Sequence, residues 1–418
     1  MSNAFPTDPY YSYPGAYAGQ AEPLFEKLAL ALIIAAATFN LALALVNNHV
    51  VGITPAFPMA AEALIIGATT VLIARKHDTF AFFFVVATIG YFAILYLLRG
   101  YVDPKPIRDV LIPLLFFRLG VLYGGEQAVL RVTKLLLAIT FVVGIWEWLA
   151  PSQFGQFFGV LKYFIAKGAT GDEVGEFIQN GLNINALRPA GQGREIFSFL
   201  GPHRVSSIFL EPVTAGNFGA FCIAVFLGTL RGWKSWLWFG MAAAVLIFAD
   251  ARFGVLLAIG AIALYQLRFL HNPIFFALLP VFFIVGLAAY GSFGGETPNT
   301  LVGRLIYSGK ALYSFNAGDW FGVPESRKVW HDSGFAYALS QFGILYCLAA
   351  WAFISVVNPK TELGRFRLCY VMCFICLSFS VSASLWSIKM AALMWFVCGS
   401  ALRDVPPDPG VASIQPQR

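Results

Sequence analysis

Charge is what this sequence has least of. Asp, Glu, Lys and Arg together make up 12% of its 418 residues, about half the share of an ordinary soluble domain. So little charge cannot clothe the surface of the two or three soluble domains that the length alone would suggest. The net charge of +6 is modest and forms no basic stripe, which argues against nucleic acid as a partner. Cysteine is also scarce in the wrong places for a disulfide framework. All six cysteines lie in apolar runs and none in the two long polar stretches. Cys369, Cys373 and Cys376 have helical spacing, but no histidine stands near them in sequence. They read as small apolar residues of a helix and not as zinc ligands.

Several motifs are missing too. There is no Walker sequence, no Gly-x-Gly-x-x-Gly, no His-Glu-x-x-His and no Asp-x-Asp. Gly191-Gln192-Gly193 reads as a turn. The expected chemistry therefore uses no metal and no cofactor. The N-terminal residues are rich in Pro, Tyr and Gly and lack an apolar signal core, so no cleavable signal peptide is expected. Residues 1–26 and 403–418 read as flexible tails flanking one domain, 27–402.

What is present is long apolar runs. Hydrophobic residues make up 58% of the chain, and its mean hydropathy is +0.71. A helix needs about 20 mostly apolar residues to span a bilayer. Such runs cover Lys27–Val46, Pro58–Ala74, Thr79–Leu98, Ile107–Tyr123, Val132–Leu149 and Pro212–Leu230. Further runs cover Trp233–Ala249, Phe253–Leu267, Pro273–Tyr290, Ser333–Val357, Leu368–Val381 and Leu385–Leu402. The pattern predicts an all-α polytopic membrane protein of about twelve transmembrane helices. Arg108, Asp109 and Arg118 weaken the fourth run, and the shortness of the last two also admits a single re-entrant hairpin.

Two long stretches interrupt the runs, 151–206 and 291–332, and hold much of the polar inventory. With the N-terminus inside, the short inner loops carry Arg75, Lys76, Arg131, Lys134, Arg231, Lys234, Arg268, Lys360, Arg365 and Arg367. The short outer loops carry Arg99, Lys105 and Arg252. That asymmetry predicts both termini in the cytoplasm and both long loops on the extracytoplasmic side.

Three helices then begin at the outer face just after ionisable residues: His203, Arg204 and Glu211 before Pro212; Asp250 before Arg252; and Arg327, Lys328, His331 and Asp332 before Ser333. Helix N-termini present free N–H groups and suit anions. With Arg204, Arg252 and Arg304 beside them they would form a phosphate or diphosphate site. Arg304 is expected on a short helix, Val302–Phe315, opposite an apolar face of Val302, Leu305, Ile306, Leu312 and Tyr313. Blander readings stand beside these. Arg327 and Lys328 read as snorkelling cations, Arg252 as a partner of Asp250, Glu211 as a helix cap, and His331 and His203 as structural donors.

The stretch Arg204-Val-Ser-Ser-Ile-Phe-Leu-Glu211-Pro212 resembles the Arg-x-x-x-x-Phe-x-Glu-Pro motif of the O-antigen ligase and polymerase family. These are Wzy-like polymerases and WaaL-like ligases, membrane glycosyltransferases of the GT-C type. Ala251-Arg252-Phe253-Gly254 is similar to that family's helix-start arginine. Gly303-Arg304 followed by Phe321-Gly322-Val323 resembles its Arg-then-Phe-Gly-Val loop, and His331-Asp332 with Leu339 and Gly343 its His-Asn helix start. Asp332 stands where the family often has Asn, and Asp250 and Ala251 where small hydroxyl residues are common.

The resemblance implies an undecaprenyl-diphosphate-linked oligosaccharide as donor at the periplasmic face of a bacterial inner membrane. It implies a lipid-linked repeat unit as acceptor in a polymerase, or lipid A–core in a ligase. Arg204, Arg252 and Arg304 would bind the diphosphate, with Glu211 and His331 as candidate catalytic groups. A chain-length copolymerase and export machinery would be partners. From another class, a secondary transporter or a lipid-linked oligosaccharide flippase also suits twelve spans. Against the transporter stand the lack of an internal repeat and the placement of charge at the outer edge. Against the flippase stand the long outer loops.

Overall fold

The computed structural model describes residues 23–169, 196–230, 232–295, 300–324, 330 and 332–403. Among them there is no strand. Five long helices come first: α1 Pro23–His49, α2 Ala56–Ala74, α3 Thr79–Arg99, α4 Pro104–Tyr123 and α5 Glu126–Leu149. Two short ones follow, α6 Pro151–Phe158 and α7 Val160–Ala166. Then come α8 Pro212–Phe226, α9 Lys234–Ala249, α10 Arg252–Gln266, α11 Leu279–Ser292 and α12 Leu301–Tyr313. The last three are α13 Gly334–Val356, α14 Glu362–Phe379 and α15 Ile388–Ser400.

Every apolar run of the sequence is helical. Six helical stretches are long and apolar enough to cross a membrane: 23–49, 56–74, 79–99, 126–149, 273–292 and 334–356. Their outward faces carry large apolar side chains such as Phe82, Phe83, Leu97, Phe282 and Val285. Such surfaces belong in lipid. This is a helical membrane protein. Four shorter apolar helices, α8, α9, α10 and α15, have 13 to 16 residues. At 1.5 Å per residue they reach about 20–24 Å, less than the ~30 Å hydrocarbon core.

α8 and α15 form the centre. Every residue of α15 is buried, as are all of α8 except Val213. A helix apolar on all sides is an interior helix. α15 packs most extensively on α4. There the backbones nearly touch: a Cβ on Gly399 would lie 1.9 Å from the Phe117 carbonyl oxygen, and one on Gly120 would lie 2.2 Å from that of Phe396. Small residues permit the close approach that packing in lipid requires.

The helices start earlier than the hydropathy suggests. α14 begins at Glu362, not near Leu368, and α5 at Glu126, not near Val132. The extra turns hold paired charges. Arg367 donates to both Glu126 oxygens at 2.7 and 2.8 Å, to Thr229 Oγ1 at 2.8 Å and to the Val225 carbonyl at 3.0 Å. Arg118 of α4 pairs with Asp78, whose other oxygen caps α3 by accepting from Ala81 N. Arg131 meets Glu26, and Arg403 donates to the Gly124 carbonyl. The starts of α1 and α5 and the end of α15 therefore share one end of the bundle, so residues 23 and 403 lie at the same end.

α13 is broken at Gly343, whose φ of 75° and ψ of 154° no other residue adopts without strain. Arg99 of α3 donates to the carbonyls of Gln341 (2.7 Å) and Gly322, and Tyr91 donates to that of Phe342 (2.7 Å). α12 forms as expected, but its buried face differs. Gly303, Ser308, Gly309, Ala311 and Leu312 pack inward, while Val302 and Tyr313 are exposed. Gly309 lies against Gly291 of α11 so closely that only glycine fits, and this backbone contact, not apolar bulk, sets the face.

Candidate functional site

The site is built at the end of the bundle opposite residues 23 and 403. The segment preceding α8 is held there by one buried carboxylate. Glu147, near the end of α5, accepts from Ser206 N at 3.0 Å, Ser206 Oγ at 2.8 Å, Ser207 N at 2.5 Å and His203 Nε2 at 3.1 Å. Ser207 Oγ adds a bond to the Thr140 carbonyl at 2.6 Å. These contacts over-determine a strained backbone. Ser207 and Leu210 both have positive φ, 50° and 57°, at the first residue of a single 3₁₀ turn and just after its last. Non-glycine residues in that region cost about 1–3 kcal/mol each and cluster at functional sites. His203 thus acts as the structural donor expected of it.

The same segment aims its two ends in different directions. Val205 N donates to the Phe248 carbonyl at 2.9 Å, and buried Arg204 donates through Nε to the Ala249 carbonyl at 3.2 Å. That places the Arg204 side chain against the α9–α10 turn, whose Asp250 has a φ of 45° and receives Ile196 N and Phe197 N at 3.2 Å. Arg252 opens α10 just beyond the turn. Arg204 and the start of α10 are therefore brought together from positions far apart in sequence.

Arg304 stands with the start of α13. Its Nη1 lies 3.6 Å from Asp332 Oδ1, and Ser308 Oγ donates to the Asp332 carbonyl at 2.9 Å. Ser333 caps α13 by accepting from Ala336 N at 3.2 Å. His331, Arg327 and Lys328 lie outside the described residues.

Glu211 is not a helix cap. Its side chain makes no capping bond to α8. One oxygen meets Lys389 Nζ at 2.9 Å, and the other accepts from Thr214 Oγ1 at 2.9 Å. Lys389 also donates to the Phe209 carbonyl at 3.0 Å. Burial raises the Glu211 pKa, but Lys389 and its hydrogen bond outweigh that and hold the carboxyl below its ordinary value. Glu211 is half-buried, with 32% of its side chain accessible.

Around this pair lies a polar cluster that the sequence reading did not assemble. Arg108 bridges Glu62 and Asp109, each at 2.6 Å, and Tyr337 OH donates to the other oxygen of Asp109 at 2.6 Å. Lys105 Nζ lies 4.8 Å above the Tyr337 ring. Lys167, at the end of α7, is within electrostatic reach of Lys389, Glu211, Glu62 and Arg108. Tyr163 donates to Asn40 beneath it. One signal could have found this cluster: Lys389 is the lone charge in an apolar run, and an ionisable residue inside a span is a functional flag.

Beside the cluster runs an apolar groove of about 530 Å³ between α3, α4, α13, α14 and α15. Its wall includes Tyr91, Phe342, Tyr346, Trp351, Trp386 and Trp395. Trp386 packs on Tyr337 with ring centroids 6.3 Å apart, so the groove borders the Asp109–Tyr337 bond. The arrangement offers cations beside helix starts, a carboxylate paired with a buried lysine, and an apolar trough alongside. No family model matches the chain, and no curated protein or solved structure is detectably similar to it.

Proposed function

We propose that the chain is a polysaccharide polymerase of the bacterial inner membrane. In this reading it crosses the bilayer twelve times with both termini cytoplasmic. At the periplasmic face it moves an undecaprenyl-diphosphate-linked glycan to a sugar hydroxyl of a lipid-linked repeat unit. A single observation carries the reading. The Arg204–Pro212 segment is strained, pinned by Glu147 and set against the turn that bears Arg252, at the bundle end where Arg304 also lies. These are the three cations of the family resemblance.

The chemistry suits these residues. An acceptor hydroxyl attacks the anomeric carbon, the bond to phosphate breaks, and the diphosphate leaves with the electron pair. Guanidinium groups and helix N–H groups stabilise the charge that develops there. Each such donor is worth about 10²–10³-fold in rate. The aromatic groove gives the polyprenyl tail an apolar place to lie. His331 remains a candidate catalytic group beside Asp332, with Glu211 as an orienting acceptor.

The decisive assay follows polymer length in membranes supplied with lipid-linked repeats. Long polymer with release of undecaprenyl diphosphate supports the polymerase. Transfer of preformed polymer to lipid A–core would make the enzyme a ligase instead.

One observation favours transport as a second reading. The Lys389–Glu211 pair joins the starts of two short apolar helices buried in the bundle, and carriers also keep charged pairs between their helices. Transbilayer movement of the lipid-linked repeat without any bond formation would establish that reading and overturn the first.

A further inference from the structure

The strained segment before α8 is gripped by two buried groups of opposite charge, each from a different helix. Its first part presents N–H groups, and the Glu147 carboxylate of α5 accepts from Ser206 N at 3.0 Å and Ser207 N at 2.5 Å. Its last part presents oxygens, and the Lys389 amine of α15 donates to the Phe209 carbonyl at 3.0 Å and to Glu211 Oε1 at 2.9 Å. The grips fall on or beside both residues of positive φ, Ser207 and Leu210. Nothing within α15 favours Lys389 where it stands. It is buried, and a cation in the first turn of a helix opposes the helix dipole. Both of its hydrogen bonds go to the segment.

We propose that Lys389 is a positioning residue for glycosyl transfer, holding the end of this segment so that Glu211 keeps a fixed place relative to Arg204. The inference rests on the glycosyl-transfer reading. Arg204 ties one end of the segment through its bond to the Ala249 carbonyl. Lys389 ties the other end. The Glu211 side chain is 32% accessible and that of Lys389 5%, so the carboxylate can meet substrate while the lysine acts through it.

Two features separate this role from bulk stability. A buried ion pair stabilises a fold no more than a well-packed apolar pair of the same size. The second bond of Lys389, to Phe209, is not needed to neutralise Glu211. It holds the peptide group that leads into Leu210, where the backbone is left-handed. Without that bond the strained backbone can relax, and the Glu211 side chain shifts with it. A displacement of about 1 Å in a positioned group costs about 10²-fold in rate.

The test has two readouts, both on the full-length protein. The first is amide hydrogen exchange across residues 205–211 in Glu211→Gln and in Lys389→Met/Glu211→Gln. The single variant keeps the amine and its bond to Phe209, and the double variant removes the amine without leaving a charge unpaired. Exchange in that segment should be about 10-fold faster in the double variant, the size expected for one lost hydrogen bond, with α3 unchanged. The second readout is polymer synthesis in membranes from purified lipid-linked repeat, normalised to folded protein. Lys389→Met should lose about 10²-fold in kcat with little change in KM for the donor, and Lys389→Arg, which can still donate to both oxygens, should recover part of it. Equal exchange in the single and double variants, faster exchange throughout the bundle, or a wild-type kcat in Lys389→Met would overturn the positioning role. Full polymer from Arg204→Ala would overturn the transfer reading beneath it.

Discussion

Lys389 Nζ stands 2.9 Å from Glu211 Oε1 and joins the first turns of the two innermost helices, α15 and α8. Lys389 is 5% exposed at its side chain, so its charge depends on that partner. Lys389→Met should leave the carboxylate unpaired and lower stability by about 3–5 kcal/mol. Adding Glu211→Gln should recover most of that loss. Denaturation of the purified protein in detergent reads the cycle. Equal losses from the single and double variants would mean that the two groups do not act as a pair.

The same pair makes stability acid-sensitive. The folded-state pKa of Glu211 is depressed, so the ionised form favours the fold. Its contribution is complete above the ordinary carboxylate value of 4.5 and vanishes as pH falls through the lower folded value. The difference in thermal midpoint between wild type and Lys389→Met/Glu211→Gln should shrink as pH drops below that value. A difference that stays constant into strong acid would remove Glu211 as the sensitive group.

The α4–α15 contact predicts a steric result. Gly399→Ala would put a methyl group within 1.9 Å of the Phe117 carbonyl oxygen. Neither backbone can yield, so the cost should be at least the about 1–3 kcal/mol of ordinary overpacking. Gly260→Ala is the control. It lies within α10 with no neighbour within 4 Å, and should gain stability slightly through helix propensity. Thermal melts of both variants in one detergent decide it.

Arg204 should resist even a like-charged replacement. Its Nε donates to the Ala249 carbonyl at 3.2 Å, which fixes the plane of the guanidinium. Arg204→Lys keeps charge but loses the planar fork, and polymer yield should fall about 10²–10³-fold at equal protein level. Arg268→Lys, at the opposite end and 70% exposed at its side chain, should yield as wild type does. Normal yield from Arg204→Lys would reduce Arg204 to a structural anchor.

Hydropathy made the helices legible because spanning segments are long and apolar. It misplaced their ends where charge is paired. Arg365 and Arg367 look like loop residues until Glu126, from a distant helix, turns Arg367 into an interior residue. The candidate site was legible only where charges stand at helix starts in sequence, as at Arg204, Glu211 and Arg252, and on the short amphipathic α12, as at Arg304. Arg108 and Asp109 were visible only as blemishes in a span. Their roles depend on Glu62 and Tyr337, from helices whose positions no local pattern encodes.

The break at Gly343 divides one wall of the aromatic groove into two panels. The upper panel, Gly334–Phe342, is fastened to α3 through Arg99 and Tyr91. The lower panel is fastened to the segment before α11, where Trp351 Nε1 donates to the carbonyls of Phe276 and Ala277. α3 also grips the second panel, through Thr88 at Tyr346 OH (3.4 Å) and through Phe84 against Phe353. The backbone turns at one glycine while a single neighbouring helix clamps both sides of the turn, so the offset between Phe342 and Tyr346 is held fixed and the groove keeps a set aperture.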